Sequence, residues 1–221
     1  MILNFGTLLA QETRNEIWPE LNSYFKLNEQ FRVRFAAGIN RSKESTDATD
    51  GFLEADLDIG IKTILRRKPL FRQDSQKGKF LTFRAGYAYV PNFGDDPSVE
   101  HRGIVEFTGR YPLPATVLLS DRNRMDFRSI DGDKSRRYRN RIKFEREFAV
   151  GKFHFNQYVT TEFFYNSRVD SWSRNEYSIG TEFPFRHHFV MEFYYMRQDN
   201  KGSGATDVNA LGWVFQMHFG N

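Results

Sequence analysis

The chain has 221 residues, a formal net charge of +4 and 16% aromatic residues, including 23 Phe, and it contains no Cys. A chain without Cys has no disulfide scaffold, no thiolate metal site and no Cys nucleophile. No stretch approaches the length of about 18 apolar residues that a transmembrane helix needs. Strands favour aromatic residues, so the composition favours a β fold.

The first ten residues read MILNFGTLLA and are followed by Gln11 and Glu12. A short apolar run that ends in a small residue is typical of the end of a secretory signal peptide. We therefore expect residues 1–10 to be a signal-peptide remnant and residues 11–221 to form a single domain.

Apolar and polar residues alternate with a period of two in successive segments along the chain. In one of them, Phe31, Val33 and Phe35 alternate with Arg32 and Arg34, which places the two sets on opposite faces of a strand. The segments, in chain order, are 15–27, 30–40, 53–62, 81–89, 105–111, 116–129, 139–145, 153–163, 176–183, 189–198 and 211–219.

These ranges mark the clearest alternation within segments of roughly ten to fourteen residues, whereas strands of soluble proteins cluster near five or six. Strands that cross a bilayer on a tilt need about ten residues. The number of segments is odd, but bacterial barrels usually have an even number of strands. The sequence therefore predicts an all-β fold, an antiparallel up-and-down transmembrane β-barrel of ten to twelve strands, with twelve favoured.

Short and longer connections alternate between the segments, as they do in outer-membrane barrels. The connection at 66–79, RRKPLFRQDSQKGK, breaks this pattern, because it is long where a short periplasmic turn is expected. The pattern does not indicate what this connection does.

The last segment, ALGWVFQMHFGN, alternates strictly and places Trp213, Phe215 and Phe219 on one face. It resembles the C-terminal targeting strand that the barrel assembly machinery reads. This strand, together with the long alternating segments, predicts a bacterial outer-membrane location, with membrane lipid and the assembly machinery as partners and no known protein partner.

Four stretches carry a family resemblance: EIWPEL at 16–21, the Arg-rich hairpin within 121–146, TEFFYN at 161–166 and the terminal strand. They resemble the bacterial proteins grouped as domain of unknown function 2490, from about residue 12 onward. The resemblance implies a Gram-negative outer-membrane location. It implies no established activity and supplies no catalytic residues.

In a membrane barrel the apolar face meets lipid, so the polar residues point into the lumen. We expect a network of charges there, because charges in a narrow interior are tolerated when they pair or stay hydrated. The predicted network comprises Arg84, Arg102, Arg110, Arg137, Arg139, Arg141, Lys143, Glu54, Asp56, Asp58, Glu106, Glu145, Glu162, Glu176, Glu182 and Glu192.

Such a network allows two functions. It could line a narrow porin-like channel for small polar or anionic solutes, or it could hold shut a structural or loop-presenting barrel. A third alternative, a soluble ligand-binding barrel, requires the apolar set inside and the charges outside. The lumen radius distinguishes the first two, and the sequence does not determine it.

Enzyme and nucleic-acid functions have weaker support. The five His residues show no metal-ligand spacing, and the sequence has no nucleophile elbow or phosphate-binding loop. We therefore expect no metal and no cofactor. An outer-membrane lipid-modifying enzyme is a remaining alternative, with His154 and Ser178 on adjacent predicted strands. The basic run at 136–143 is followed by carboxylates and the net charge is only +4, so we expect no nucleic acid to bind.

Overall fold

A computed structural model describes residues 12–42, 48–63, 74–93, 97–186, 188–202 and 205–220. The predicted signal-peptide remnant at 1–10 lies outside these residues. So do residues 66–73 of the unusually long connection. Within the described residues, no helix is long and apolar enough to cross a membrane.

The described chain is built almost entirely of long strands, each of which coincides with one of the alternating segments. Period-two alternation gives each strand one polar and one apolar face, so that one face can be enclosed while the other remains outside. The strands are β1 (Thr13–Lys26), β2 (Phe31–Ser42), β3 (Ala48–Thr63), β4 (Lys79–Asn92), β5 (Ser98–Pro112), β6 (Val117–Ile130), β7 (Asp133–Val150), β8 (Phe153–Asn166), β9 (Ser171–Phe185), β10 (Phe189–Asn200) and β11 (Asp207–Phe219).

The strands form one closed barrel in which each pairs with its neighbours in sequence, and β1 closes the ring against β11. The prediction of an all-β up-and-down barrel is confirmed. The favoured count of twelve is wrong, because the described residues form eleven strands. Several strands are longer than the roughly ten residues expected for a strand that crosses a bilayer, up to the 18 residues of β7. Fewer strands therefore account for the length of the chain.

The prediction of a wholly antiparallel barrel is also wrong. An up-and-down chain reverses direction at every turn, so an odd number of strands leaves the first and last running the same way. β1 and β11 are parallel, in a register that runs from Thr13 opposite Asp207 to Phe25 opposite Phe219. All other neighbours are antiparallel.

The barrel has its charges inside and its large apolar side chains outside. Among the described residues, 23 buried side chains are polar or charged and 12 are hydrophobic, whereas 31 large hydrophobic side chains are exposed. Leu53, Ile179 and Leu211 are each 60% exposed, while Asp58 and Asp126 are fully enclosed. This distribution is the reverse of the one that the soluble ligand-binding barrel requires.

The two ends of the barrel differ. One end, which we call the mouth, carries the starts of β1 and β11 and the turn Asp131–Gly132. Both residues of that turn have positive φ, which suits a two-residue hairpin turn with Gly in second position. The other end, which we call the sealed end, carries the ends of β1 and β11 and the short helical turn Ser75–Gly78 that precedes β4.

Candidate functional site: the charged interior and the mouth cavity

All sixteen residues of the predicted charge network project into the barrel. Seven of the carboxylates are buried, namely Glu54, Asp56, Asp58, Glu106, Glu145, Glu162 and Glu182. The others either bond to buried groups or line the interior cavity. Their common direction follows from the alternation of each strand, so local sequence alone places them on the inner face.

Glu162 on β8 is the centre of the largest cluster. Its Oε1 accepts hydrogen bonds from Arg122 at 2.6 Å and from Arg139 at 2.7 Å. Its Oε2 accepts from Arg141 at 2.6 Å. The carboxylate is 1% exposed, so three guanidinium groups replace the water that it would otherwise bind. Charge-assisted bonds of this kind are stronger than neutral ones.

A second cluster runs across β2, β3 and β4. Asp58 accepts hydrogen bonds from Arg32 at 2.6 Å and from Arg84 at 2.6 Å. Two residues nearer the mouth on each strand, Arg34 donates to Asp56 at 2.8 Å and also bonds Glu54. Arginines and carboxylates alternate across three strands, so each buried charge has an opposite charge beside it.

One ion pair spans the interior instead of following the wall. Arg124 on β6 donates to Glu54 on β3 at 3.2 Å, although β4 and β5 separate those two strands in the sheet. Arg124 also bonds Asp126 on its own strand at 2.6 Å. A direct bond between non-adjacent strands requires a narrow interior, as expected for a barrel with few strands.

The described part of the unusually long connection folds into the sealed end. Asp74 accepts a hydrogen bond from Arg32 of β2 at 2.5 Å. On the opposite side, Lys77 bonds Glu182 of β9 and lies 3.4 Å from Glu145 of β7. Between them, Gln76 is 1% exposed. This segment therefore ties together opposite walls of the barrel, a function that the sequence did not reveal.

Both charged residues of this segment are held in their ionised forms. Burial alone would raise the pKa of Asp74, but Arg32, with smaller contributions from His218, Lys77 and Arg110, lowers it to about 2. Burial would lower the pKa of Lys77, whereas Glu145 and Glu182 raise it above its ordinary value. The segment is thus anchored by one anion and one cation, each against the opposite charge.

Aromatic rings complete the sealed end. Tyr24 of β1 stacks on His218 of β11 with ring centroids 4.7 Å apart, and the Arg32 guanidinium lies 4.3 Å above the Tyr24 ring. His218 is 1% exposed. These rings lie next to the parallel pair of strands, so the interior is filled there as well.

The remaining predicted residues make smaller contacts. Lys143 lies 2.9 Å from both Glu145 and Glu182. Arg110 donates to Thr82 at 2.7 Å. Among the described residues, Glu192 is not paired with a cation; it accepts hydrogen bonds from Tyr158 and, at 3.0 Å, from Gln216. Lys143 thus adds a salt bridge between β7 and β9, whereas Arg110 and Glu192 extend the polar interior through hydrogen bonds.

Beyond these clusters the interior widens into a cavity of about 560 Å³. Nine arginines and five carboxylates line it. Arg102 and Arg128 both donate to Glu100, at 2.9 Å and 2.5 Å. Cations therefore outnumber carboxylates along the mouth cavity.

Arg137 differs from every other predicted arginine. Its side chain makes no hydrogen bond or salt bridge with the described residues, although it is only partly exposed and lines the mouth cavity. The charged groups that act on it most strongly are also cations: Arg128, Arg174, Arg102 and Arg139. Its guanidinium is therefore free to accept an anion from outside the chain.

The residues considered for lipid chemistry do not come together. His154 lies at the sealed end of β8, where its Nδ1 is 3.1 Å from Glu147. Ser178 lies opposite Thr160, six positions further along that strand. At about 3.3 Å per residue the two side chains are roughly 20 Å apart along the sheet, so they form no nucleophile–base pair.

The predicted targeting strand is β11. Trp213 and Phe219 are exposed on its outer face, and Phe215 is partly exposed there. Phe219 stacks on Phe25 of β1, with ring centroids 4.9 Å apart. Phe215 stacks on Phe189 of β10 at 5.6 Å. The aromatic set thus lies on the outer face of β11, with contacts to β1 on one side and to β10 on the other.

Sequence reasoning missed several interior residues. Arg122, Arg124 and Arg128 lie in the alternating segment 116–129, so the same parity rule could have identified them. Asp74 and Lys77 carry no such signal, because they lie in a connection and their partners are distant in sequence. Their contribution became visible only in the folded barrel.

Comparison with known proteins supplies a family and no activity. The model of the family described as "Protein of unknown function (DUF2490)" matches residues 15–209. No curated protein and no solved structure matches the chain significantly. The match covers β2 to β10, nearly all of β1 and the first three residues of β11, and the sequence resemblance is therefore confirmed. The chain belongs to the family of proteins of unknown function DUF2490.

Proposed function

We propose that this protein is a bacterial outer-membrane barrel whose interior is closed to ions at the sealed end. The supporting observation is the reversed distribution of side chains, with large apolar groups outside and ion pairs inside. Most of the 31 exposed large hydrophobic residues lie on this outer wall. Contact with water would disfavour such a wall, whereas contact with acyl chains would not. Membrane lipid is the proposed partner of that wall.

The strand lengths support the same proposal. The shortest strands have 12 residues. At about 3.3 Å per residue and a tilt of about 45°, 12 residues cover roughly 28 Å, close to the hydrocarbon thickness of a bilayer. The aromatic outer face of β11 is the proposed contact for the assembly machinery.

The filled interior favours a closed structural barrel over the porin-like channel. The Glu162 cluster, the Arg124–Glu54 pair and the inserted segment at 74–78 occupy successive levels of the interior. An ion that crosses would have to displace buried salt bridges, and breaking one costs about 3–5 kcal/mol. The lipid-modifying enzyme receives no support, because His154 and Ser178 are far apart.

A matched pair of substitutions tests the membrane-facing wall. Ile179 lies in the middle of β9 and is 60% exposed, while Val169 lies in the turn after β8 and is 58% exposed. In a bilayer, Ile179→Arg should cost about 2–4 kcal/mol and Val169→Arg about 1 kcal/mol or less. Unfolding in lipid vesicles measures both. Equal and small costs would show that the wall faces water, and would end the proposal.

Planar-bilayer recording tests the closed interior. The reconstituted protein should give no steady conductance at moderate voltage. The double variant Asp74→Asn/Lys77→Gln removes both anchors of the inserted segment, and should give conductance steps. Lys152→Gln changes an exposed lysine at the same end and should stay silent. A steady conductance of the wild-type protein would contradict the closed barrel and favour the channel.

A further inference from the structure

The mouth cavity has two chemically different walls. One carries Arg102, Arg128, Arg137 and Arg174, from β5, β6, β7 and β9, and we call it the arginine wall. The other carries apolar side chains that include Trp18 of β1 and Tyr194 of β10. Both of these rings pack against a buried apolar cluster of Met196, Val208 and Ala210.

The arginine wall has more positive than negative charge. Its own carboxylates are Glu100, which binds Arg102 and Arg128, and Glu176, which lies 3.6 Å from Arg174. Four guanidinium groups against two carboxylates leave an excess of two positive charges on this wall. Deeper in the interior the arginines are matched by Glu54, Asp126 and Glu162, so the excess is local to the mouth.

Asp50 and Glu20 also line the cavity, from β3 and β1, and the charges of Arg174 and Arg102 act on Asp50. Glu20 already accepts a hydrogen bond from Asn22 at 2.7 Å. A cavity wall with an excess of one sign of charge raises the local concentration of oppositely charged solutes.

We infer that the mouth cavity binds a phosphate monoester that carries an apolar or aromatic group. A phosphate monoester has between one and two negative charges at neutral pH, which matches the excess on the arginine wall. Guanidinium groups bind its oxygens in bidentate pairs. The apolar group would lie against Trp18 and Tyr194. This inference depends on the cavity and not on the proposed closure, so either can fail without the other.

A substitution of Arg137 tests ligand binding separately from the folding of the barrel. Because it has no partner among the described residues, Arg137→Gln breaks no ion pair and should leave the barrel folded. It removes the one guanidinium that has all its donors available for the ligand. Arg137→Lys keeps the charge but loses the bidentate geometry, so it should restore part of the affinity.

The test is calorimetric titration of the folded barrel in zwitterionic detergent, with phenyl phosphate, inorganic phosphate and phenol as probes. Phenyl phosphate should bind more tightly than inorganic phosphate, and phenol should not saturate. Arg137→Gln should weaken phenyl phosphate binding about tenfold or more, as expected for loss of a charge-assisted pair. Arg168→Gln, in the exposed turn at the same end, should leave it unchanged.

A substitution in the apolar wall tests the binding of the apolar part of the ligand. Trp18→Leu should weaken the binding of phenyl phosphate and leave that of inorganic phosphate unchanged. Equal affinity for the two phosphates would overturn the ligand class. Equal affinity in wild type and Arg137→Gln, or no saturable binding of either phosphate, would overturn the site itself.

Lipid nanodiscs distinguish the source of the phosphate. Discs of phosphatidylcholine alone are compared with discs that also contain phosphatidic acid, which is itself a phosphate monoester. If phosphatidic acid competes with phenyl phosphate, the ligand is a lipid headgroup. If phenyl phosphate binds equally in both discs, the ligand comes from solution. Either result supports the site, provided that Arg137→Gln removes the binding.

Discussion

The sealed half of the barrel and the mouth contain the same charged groups in different proportions. In the sealed half, Asp58 bonds two arginines, and Glu145 and Glu182 pair with Lys77 and Lys143, so the cations there are held by carboxylates. At the mouth, the four arginines of the arginine wall share Glu100 and Glu176. The comparison shows that a paired carboxylate, and not the residue type, separates a structural arginine from one that is available to a ligand, because Arg137 is the member of the arginine wall without such a partner among the described residues.

The largest expected effect comes from the Glu162 cluster. Glu162→Gln removes the carboxylate that three buried arginines share, and leaves their charges next to one another. We expect a loss of about 3–5 kcal/mol in the free energy of unfolding, measured by denaturant titration of the reconstituted protein. Glu147→Gln changes a carboxylate whose one partner in the described residues is His154, and should cost about 0.5 kcal/mol or less. If the two variants have equal stability, the interior clusters do not hold the barrel together.

A smaller effect is expected from pH at the inserted segment. The pKa of Asp74 falls from 3.8 to about 2 in the folded protein. Its pairing therefore contributes stability that is fully present above about pH 4 and is lost as the pH falls toward 2. At about 1.4 kcal/mol per unit of pKa, the contribution is about 2 kcal/mol.

The difference in unfolding free energy between wild type and Asp74→Asn measures this contribution. Asn can still cap the helical turn, because Asp74 does so by accepting from the Gln76 amide at 2.9 Å. The difference should be largest near neutral pH and should shrink to nearly zero at pH 2. A difference that does not change with pH would mean that Asp74 is not ionised against Arg32.

The smallest effect on stability is expected at the mouth. Arg137→Gln should change the free energy of unfolding by less than about 0.5 kcal/mol, because no partner is lost and a cation is removed from among other cations. The same denaturant titration measures it. A loss above about 2 kcal/mol would show that Arg137 is a structural residue, and the contrast between the two halves would disappear.

Much of the barrel could be predicted from the sequence. Alternation located all eleven strands and assigned an inner and an outer face to each, because the side of a strand on which a residue lies is a local property of the backbone. It also placed the sixteen charged residues of the predicted network on the inner face. Parity predicted Arg137 on that face, but not that it lacks a partner.

The strand number and the direction of closure required the tertiary structure. An even count was expected from other barrels, whereas β1 and β11 meet in parallel, which alternation along single strands cannot reveal. The contacts of the long connection could not be predicted from the sequence either. Lys77 and Glu182 are 105 positions apart, and no local pattern joins them.

The sequence by itself determined which residues are enclosed, because a period of two fixes the face of every strand residue. Only the tertiary structure decided which enclosed charges meet. Ion pairs across the interior, such as Arg124 with Glu54, depend on the number, tilt and stagger of the strands, and these set the width of the barrel. For the same reason the excess of arginine at the mouth, and the neutral interior beneath it, became apparent only in the closed ring.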